Sequence, residues 1–405
     1  MRSVSGNAVA TLVARGVSTL AQALAFSIVV KTYGVNALDS YALGFTIATF
    51  ASLVLDFGTG TWVTRQVALR RPVSTFVMAR IPLLALGLIA ALIAIASDAA
   101  PVPETVAIVV MSVAIAVSLL GQGLFWGQMM HEREMVFAVT ESCLVLLFLA
   151  GNHVGLLPGD QPLLYTAAAY ALGATGRCIV LLRKSCPDFG TVDVVGWWRQ
   201  MHSYGMQSLV TIASTQLDTI LLSVLLVGNT AGTVAAYALA MRVYYAAPMP
   251  LQAVGAALLP RFVKEPGRQT RAAIIGTAVG SVIAVGAALV FVAIVPVFGY
   301  GTAIVSQLRT IMEILSLAFL ARCAAYVLGA FVTAQGGQRS RLWSSVGALS
   351  TMVGLDFLLI PSYGANGAAV AMVAADWVLF VGYLLGTVQI VRMRQRAVAV
   401  GHAAV

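Results

Sequence analysis

Seven side chains combine polar chemistry with positions deep inside apolar stretches: Arg15, Gln22, Asp56, Asp218, Arg242, Arg322 and Asp376. Charges so placed can pair with one another, bind an oppositely charged ligand, or exchange a proton or metal cation. A centred charge costs roughly 2.5 to 3.5 kcal/mol on membrane-insertion scales, so each one asks for a reason. The planar fork of arginine bonds two oxygens of a phosphate at once. Arg15, Arg242 and Arg322, with Gln22 beside them, are therefore candidate contacts for an anionic, phosphate-bearing ligand. Asp56, Asp218 and Asp376 are candidates for a coupling cation or for charge pairing, for instance Asp218 with Arg242 or Asp376 with Arg322. Glu141, Glu313 and Asp356 lie nearer the ends of the apolar stretches, and Arg80, Arg177 and Arg309 sit close enough to an interface to snorkel, so no function attaches to those arginines.

Other chemistry is not spelled out. Cys143, Cys178, Cys186 and Cys323 are scattered without a CxxC pattern and read as core thiols, with no metal or redox role expected. His131, His153, His202 and His402 form no ligand cluster. No GxxxxGK[ST] loop is present, so no ATPase and no cofactor is expected, and energy must come from an ion gradient, the membrane potential or a substrate gradient.

The elements that must position these groups follow from composition. Of 405 residues, 60% are hydrophobic and 10% charged, where soluble chains have roughly a quarter charged. The mean hydropathy is +0.92, so this is an integral membrane protein, all-α rather than a barrel, because its apolar runs are long and continuous instead of alternating. Twelve spans are expected, near 8–30, 40–63, 77–97, 104–128, 136–152, 163–183, 205–227, 231–258, 273–297, 306–334, 342–361 and 367–391. Ala23-Leu24-Ala25 superficially resembles a signal-peptide cleavage site, but Arg15 and Gln22 interrupt the apolar core such a peptide needs. The even-numbered loops hold most of the Arg and Lys, among them Arg65, Arg133, Lys184, Arg261 and Arg339, and both tails agree through Arg2 and Arg392. By the positive-inside rule these loops and both termini face the cytoplasm. The net charge of +9 is then a topology signal that also suits anionic headgroups, and needs no nucleic-acid partner.

The chain also repeats itself. Tyr41-Ala42-Leu43 with Arg65 downstream returns about 196 positions later as Tyr237-Ala238-Leu239 with Arg261. Thr11, Arg15, Ser18 and Gln22 fall on Gln207, Thr211, Ser214 and Asp218, and each set occupies one narrow helical face. With six spans per half, the halves form a parallel repeat: a lobe over 1–190, a cytoplasmic interfacial linker over 191–204 containing Trp197-Trp198, and a lobe over 205–405 ending in a short basic tail. The two polar-faced helices are expected to face each other across a shared central cavity. Gly44, Gly58, Gly60, Pro248 and Pro250 offer bending points, although close packing is the commoner cause of a glycine in a span.

Tyr33-Gly34, Tyr41, Asp56-Phe57-Gly58 and Arg65 resemble the first helical pair of bacterial polysaccharide (O-antigen-type) flippases, in the superfamily that also holds the multidrug and toxic-compound extrusion proteins. The run Leu358 to Ala369, with Pro361, Gly364 and Gly367, is similar to that family's signature between its last two helices, and Asp356 stands where the family often has asparagine. The resemblance implies a two-lobed, twelve-helix transporter, not an enzyme, working by alternating access in the cytoplasmic membrane. It implies flipping of a polyprenyl-pyrophosphate-linked oligosaccharide for surface polysaccharide biosynthesis, with H+ or Na+, membrane lipids and a polysaccharide polymerase and chain-length machinery as partners. The cavity arginines are not carried over from the family: on depth and sign, Arg15, Arg242 and Arg322 would hold phosphate or acidic sugars, and Asp218 and Asp376 would carry a coupling cation or set the orientation of the arginines. A cation-coupled small-molecule (drug) exporter has the same architecture and would need exposed acids and a more apolar cavity. A membrane-embedded glycosyltransferase or ligase would need a large outer loop that is not evident.

Overall fold

A membrane interior has no water to bond a bare backbone, so a chain this apolar must satisfy its amides within helices. The computed structural model describes residues 4–60, 102–127, 130–156, 161–184, 194–226, 232–248, 302–334 and 337–403, with a few isolated positions between them. Within these lie α1 Val4–Tyr33, α2 Val35–Asp56, α3 Val102–Gly127, α4 His131–His153, α5 Pro162–Lys184, α6 Val194–Leu225, α7 Thr233–Ala246, α8 Thr302–Ser316, α9 Phe319–Ala334 and α10 Gln338–Ala403. They supply ten of the twelve expected spans, because α8 and α9 are one span bent by 52° and α10 is two helical arms that meet at Gly364. The third expected span, 77–97, and most of the ninth, 273–297, fall outside the described residues, as do Arg65, Arg261 and the first part of the linker. Residues from Val194 onward continue without a break into α6.

The helix breaks have local causes. Gly34 turns α1 into α2 with φ 85°. Gly364 has φ 55° and ψ −134°, a backbone state that only glycine adopts readily, and Pro361 one turn earlier weakens the helix there. α2 ends at Phe57, left-handed at φ 41°, whose N–H closes on the Leu53 carbonyl.

In the first lobe α1 packs on α4, α3 on α2 and α5, and α4 on α5; in the second α10 gathers α6, α8 and α9, and α7 lies against α8. Tyr41 and Tyr237, the repeat mates, are both buried, and each bonds within its own lobe: Tyr41 Oη to Thr166 Oγ1 at 3.0 Å and Tyr237 Oη to Asp218 Oδ2 at 2.7 Å. Large apolar side chains such as Leu147, Leu172, Val224 and Leu358 point outward. With five stretches long and apolar enough to cross a membrane, or six with the bent pair, among the described residues, the chain is a multi-pass membrane protein and those faces meet lipid.

The lobes join along crossed helices. α2 packs on α6 and α7, and α1 on α7, so the expected direct facing of α1 and α6 gives way to a diagonal seam. The polar face of α6 turns into its own lobe: Gln207 donates to Ser345 Oγ at 3.2 Å, and Asp218 is fully buried.

Candidate functional site: a cavity at the lobe seam

A cavity of about 390 Å³ opens where α1 to α5 of the first lobe meet α6 and α7 of the second. Its first-lobe wall presents Ser18 and Gln22 from α1, Tyr41 and Phe45 from α2, Gln122 from α3, Glu134 and Glu141 from α4, and Tyr170 and Arg177 from α5. The second lobe contributes Thr215, Gln216 and Thr219 from α6, and Met241, Arg242 and Tyr245 from α7.

Two of the sequence-predicted contacts meet here. Arg242 reaches across the seam and donates from Nη1 to Gln22 Oε1 at 2.6 Å. Its guanidinium lies over the rings of Phe45 at 4.3 Å and Phe26 at 5.0 Å. The expected pair of Arg242 with Asp218 does not form, because Asp218 faces the interior of the second lobe, where it accepts from Tyr237 Oη and, at 2.6 Å, from the Thr219 N–H.

Arg322 and Asp376 take the pairing role. The Arg322 fork donates from Nε at 2.7 Å and Nη2 at 2.5 Å to the two oxygens of Asp376. Tyr244 Oη also donates to Asp376, and Arg322 lies over the Tyr245 ring at 4.6 Å. This two-oxygen pair ties α9 to the second arm of α10 in the lobe interior, away from the cavity lining, so Arg322 is not free to hold a phosphate. Asp356 is fully buried in the same lobe, both carboxylate oxygens lack a hydrogen bond, and Asp218 is its electrostatic neighbour. Asp56 closes a local turn, accepting from the Gly60 N–H at 3.3 and 3.4 Å just after the α2 break. Arg15 lies on α1, but its side chain is outside the described residues.

Sequence reasoning missed the strongest ionic cluster in the cavity. Arg177 donates from Nη1 to Glu141 at 2.5 Å and from Nη2 to Glu134 at 3.2 Å, with all three side chains buried. Two carboxylates thus share one guanidinium, and Glu134 Oε2 keeps no partner. The signal was present in the spacing, since residues seven apart share a helix face; the nearness of Arg177 to a span end argued for snorkelling and hid it. Asp39 was missed as well: its carboxylate crosses the seam to accept the N–H groups of Gly232 at 2.6 Å and Ala235 at 2.8 Å. It caps the start of α7, where unpaired amides and the helix dipole favour an anion.

The backbone as a whole has known counterparts. It aligns with the MATE multidrug transporter DinF-BH bound to R6G at TM-score 0.70, 16% identity, and coverage of 96% of this chain and 95% of that one. An outward-facing multidrug resistance MATE transporter of the MOP superfamily aligns at TM-score 0.69 and 15% identity over 97% and 96% of the two chains. A MOP superfamily transporter from Pyrococcus furiosus, described as having a binding pocket of reverse polarity, aligns at 0.65 and 16% over 96% of each. No family model and no curated protein matches the sequence. The chain therefore has the two-lobed, twelve-helix fold of these transporters. The expectation of an oligosaccharide-lipid flippase, with its polysaccharide polymerase partner, is corrected: the matching folds include several multidrug transporters and none described as a flippase, and the seam holds a volume in the range of small-molecule pockets.

Proposed function

We propose that this protein is a cation-coupled exporter of small organic molecules that works by alternating access in the cytoplasmic membrane. The observation that carries the reading is the position of the cavity: its walls come from both lobes, so rocking one lobe against the other would close one mouth and open the other. The lobes over 1–190 and 205–405 are the moving bodies, joined through 191–204, and the basic even loops with both termini face the cytoplasm.

Gln22 and Arg242 are the cargo contacts, together with Arg15 at the same face of α1. The coupling ion, H+ or Na+, is assigned to the second lobe. Asp218 and Asp356 place two buried carboxylates together without a bonded countercharge, and bringing a cation to such a pair offsets both their burial and their mutual repulsion. Asp376 is not assigned this role because Arg322 already neutralises it.

The test is dye accumulation in inverted vesicles under imposed pH or Na+ gradients. Gradient-dependent uptake is expected with the native chain, and loss of that dependence is expected in Asp218→Asn and Asp356→Asn. Vesicles in which no member of a broad panel of small organic ions moves with either gradient would sink the reading.

A further inference from the structure

The guanidiniums of Arg177, Arg322 and Arg242 are not equivalent: the first two are buried, and Arg242 is half-buried on the cavity wall. Arg177 is held by two glutamates and Arg322 by Asp376, whereas Arg242 has no described carboxylate within ion-pair distance. Its one hydrogen bond among the described residues goes to a neutral amide oxygen, and its Nε is buried with no described partner. Phe26 and Phe45 hold the flat group in place, but a ring offers a quadrupole and no lone pairs for the remaining N–H donors. A half-buried cation on a cavity wall, with its Nε withdrawn from solvent, is left with donors to spare, and an anionic oxygen pair supplies both the charge and the acceptors they lack.

Resting on the exporter reading, we propose that the cargo is a small organic anion whose carboxylate or sulfonate seats on Arg242 beside Gln22, with its apolar body along Phe26 and Phe45. Gln22 is positioned to serve the same group, since its side chain lies between Arg242 and the Tyr170 hydroxyl. The glutamates of the cavity do not compete for Arg242, because both are turned onto Arg177.

The experiment compares a carboxylate-bearing fluorophore with its methyl ester, first by binding to the purified full chain and then by transport in vesicles. One charge-assisted contact is worth roughly ten- to a hundredfold in affinity. Arg242→Ala is expected to weaken acid binding by about that factor, Arg242→Lys by less, and neither to change ester binding. Gln22→Glu keeps the size of the side chain and supplies Arg242 with an internal carboxylate, so it is expected to abolish acid binding even if Arg242→Ala fails to fold. Arg309→Ala, an exposed site away from the cavity, is the control. Equal binding of acid and ester, or acid binding indifferent to both Arg242→Ala and Gln22→Glu, overturns the proposal. Acid binding without gradient-driven movement keeps it and topples the exporter reading, whereas gradient-driven movement of the ester alone does the reverse.

Discussion

Two arginines of the second lobe, Arg322 buried and Arg242 half-buried, show how little a residue's depth in the sequence says about its work. Arg322 and Arg242 are both guanidiniums in apolar helices, but among the described residues a carboxylate, Asp376, bonds the first and a neutral amide, Gln22, the second. Removing one member of a buried pair strands the other charge, at about 3–5 kcal/mol, while replacing both with apolar groups is often close to neutral. Arg322→Ala is therefore expected to lower the melting temperature sharply in detergent, and Arg322→Met with Asp376→Leu to recover most of the loss; equal melting of the single and double variants would remove the pair from the stability argument. The Arg177 cluster predicts a different pattern. Because two glutamates share the guanidinium, Arg177→Ala leaves two buried carboxylates facing each other, and Glu134→Gln in that background is expected to restore part of the stability lost, read by the same melt. The sequence shows each of these residues, but a charge's partner sits on another helix, which is why Asp376 was assigned a choice of roles and Arg177 none.

Among the elements, α2 holds the seam at both of its ends. At its start Asp39 caps α7, and the bonded Ala235 is Asp39's own repeat mate, 196 residues on; the duplicated scaffold brings equivalent positions together at the seam, but only one carries a carboxylate. A helix cap is worth about 0.5–2 kcal/mol, enough to shift a two-state equilibrium several-fold. Asp39→Ala is expected to populate a form open at this end, seen as a longer distance between spin labels at Asn36→Cys and Ser306→Cys; an unchanged distance distribution would deny Asp39 a latching role. At the other end the Phe57 ring lies where a side chain on Gly205 of α6 would go, 2.1 Å from a Cβ built there. Gly205→Ala is expected to weaken the closed seam or the fold, with Phe57→Ala restoring it in the double variant, measured by melting and by transport. Phe57 reaches that place because α2 ends in a left-handed turn, a feature the Asp56-Phe57-Gly58 run suggests without showing what it touches.

For the whole molecule, length, apolar run lengths and the repeat at about 196 residues determined an all-helical membrane protein in two like halves. Those properties are local or periodic: a lipid-embedded backbone must be helical, and a duplication leaves its register in the chain. The break at Gly364 was legible for the same reason, since Pro361, Gly364 and Gly367 are read from adjacent residues. Which helix faces which was not legible. A polar stripe fixes one face of a helix but not its neighbour, so the stripe of α1 reached the cavity with Ser18 and Gln22, while the matching stripe of α6 turned into its lobe with Asp218. The family-like motifs led to an oligosaccharide-lipid cargo because they lie in helix-pair turns, which set the scaffold and say little about the size of the space inside it. Only the tertiary structure decided that size, the pairing that withdraws Arg322 and Asp376 from the cavity, and the seam that leaves Arg242 there without a carboxylate, because each depends on distances between residues tens to hundreds of positions apart.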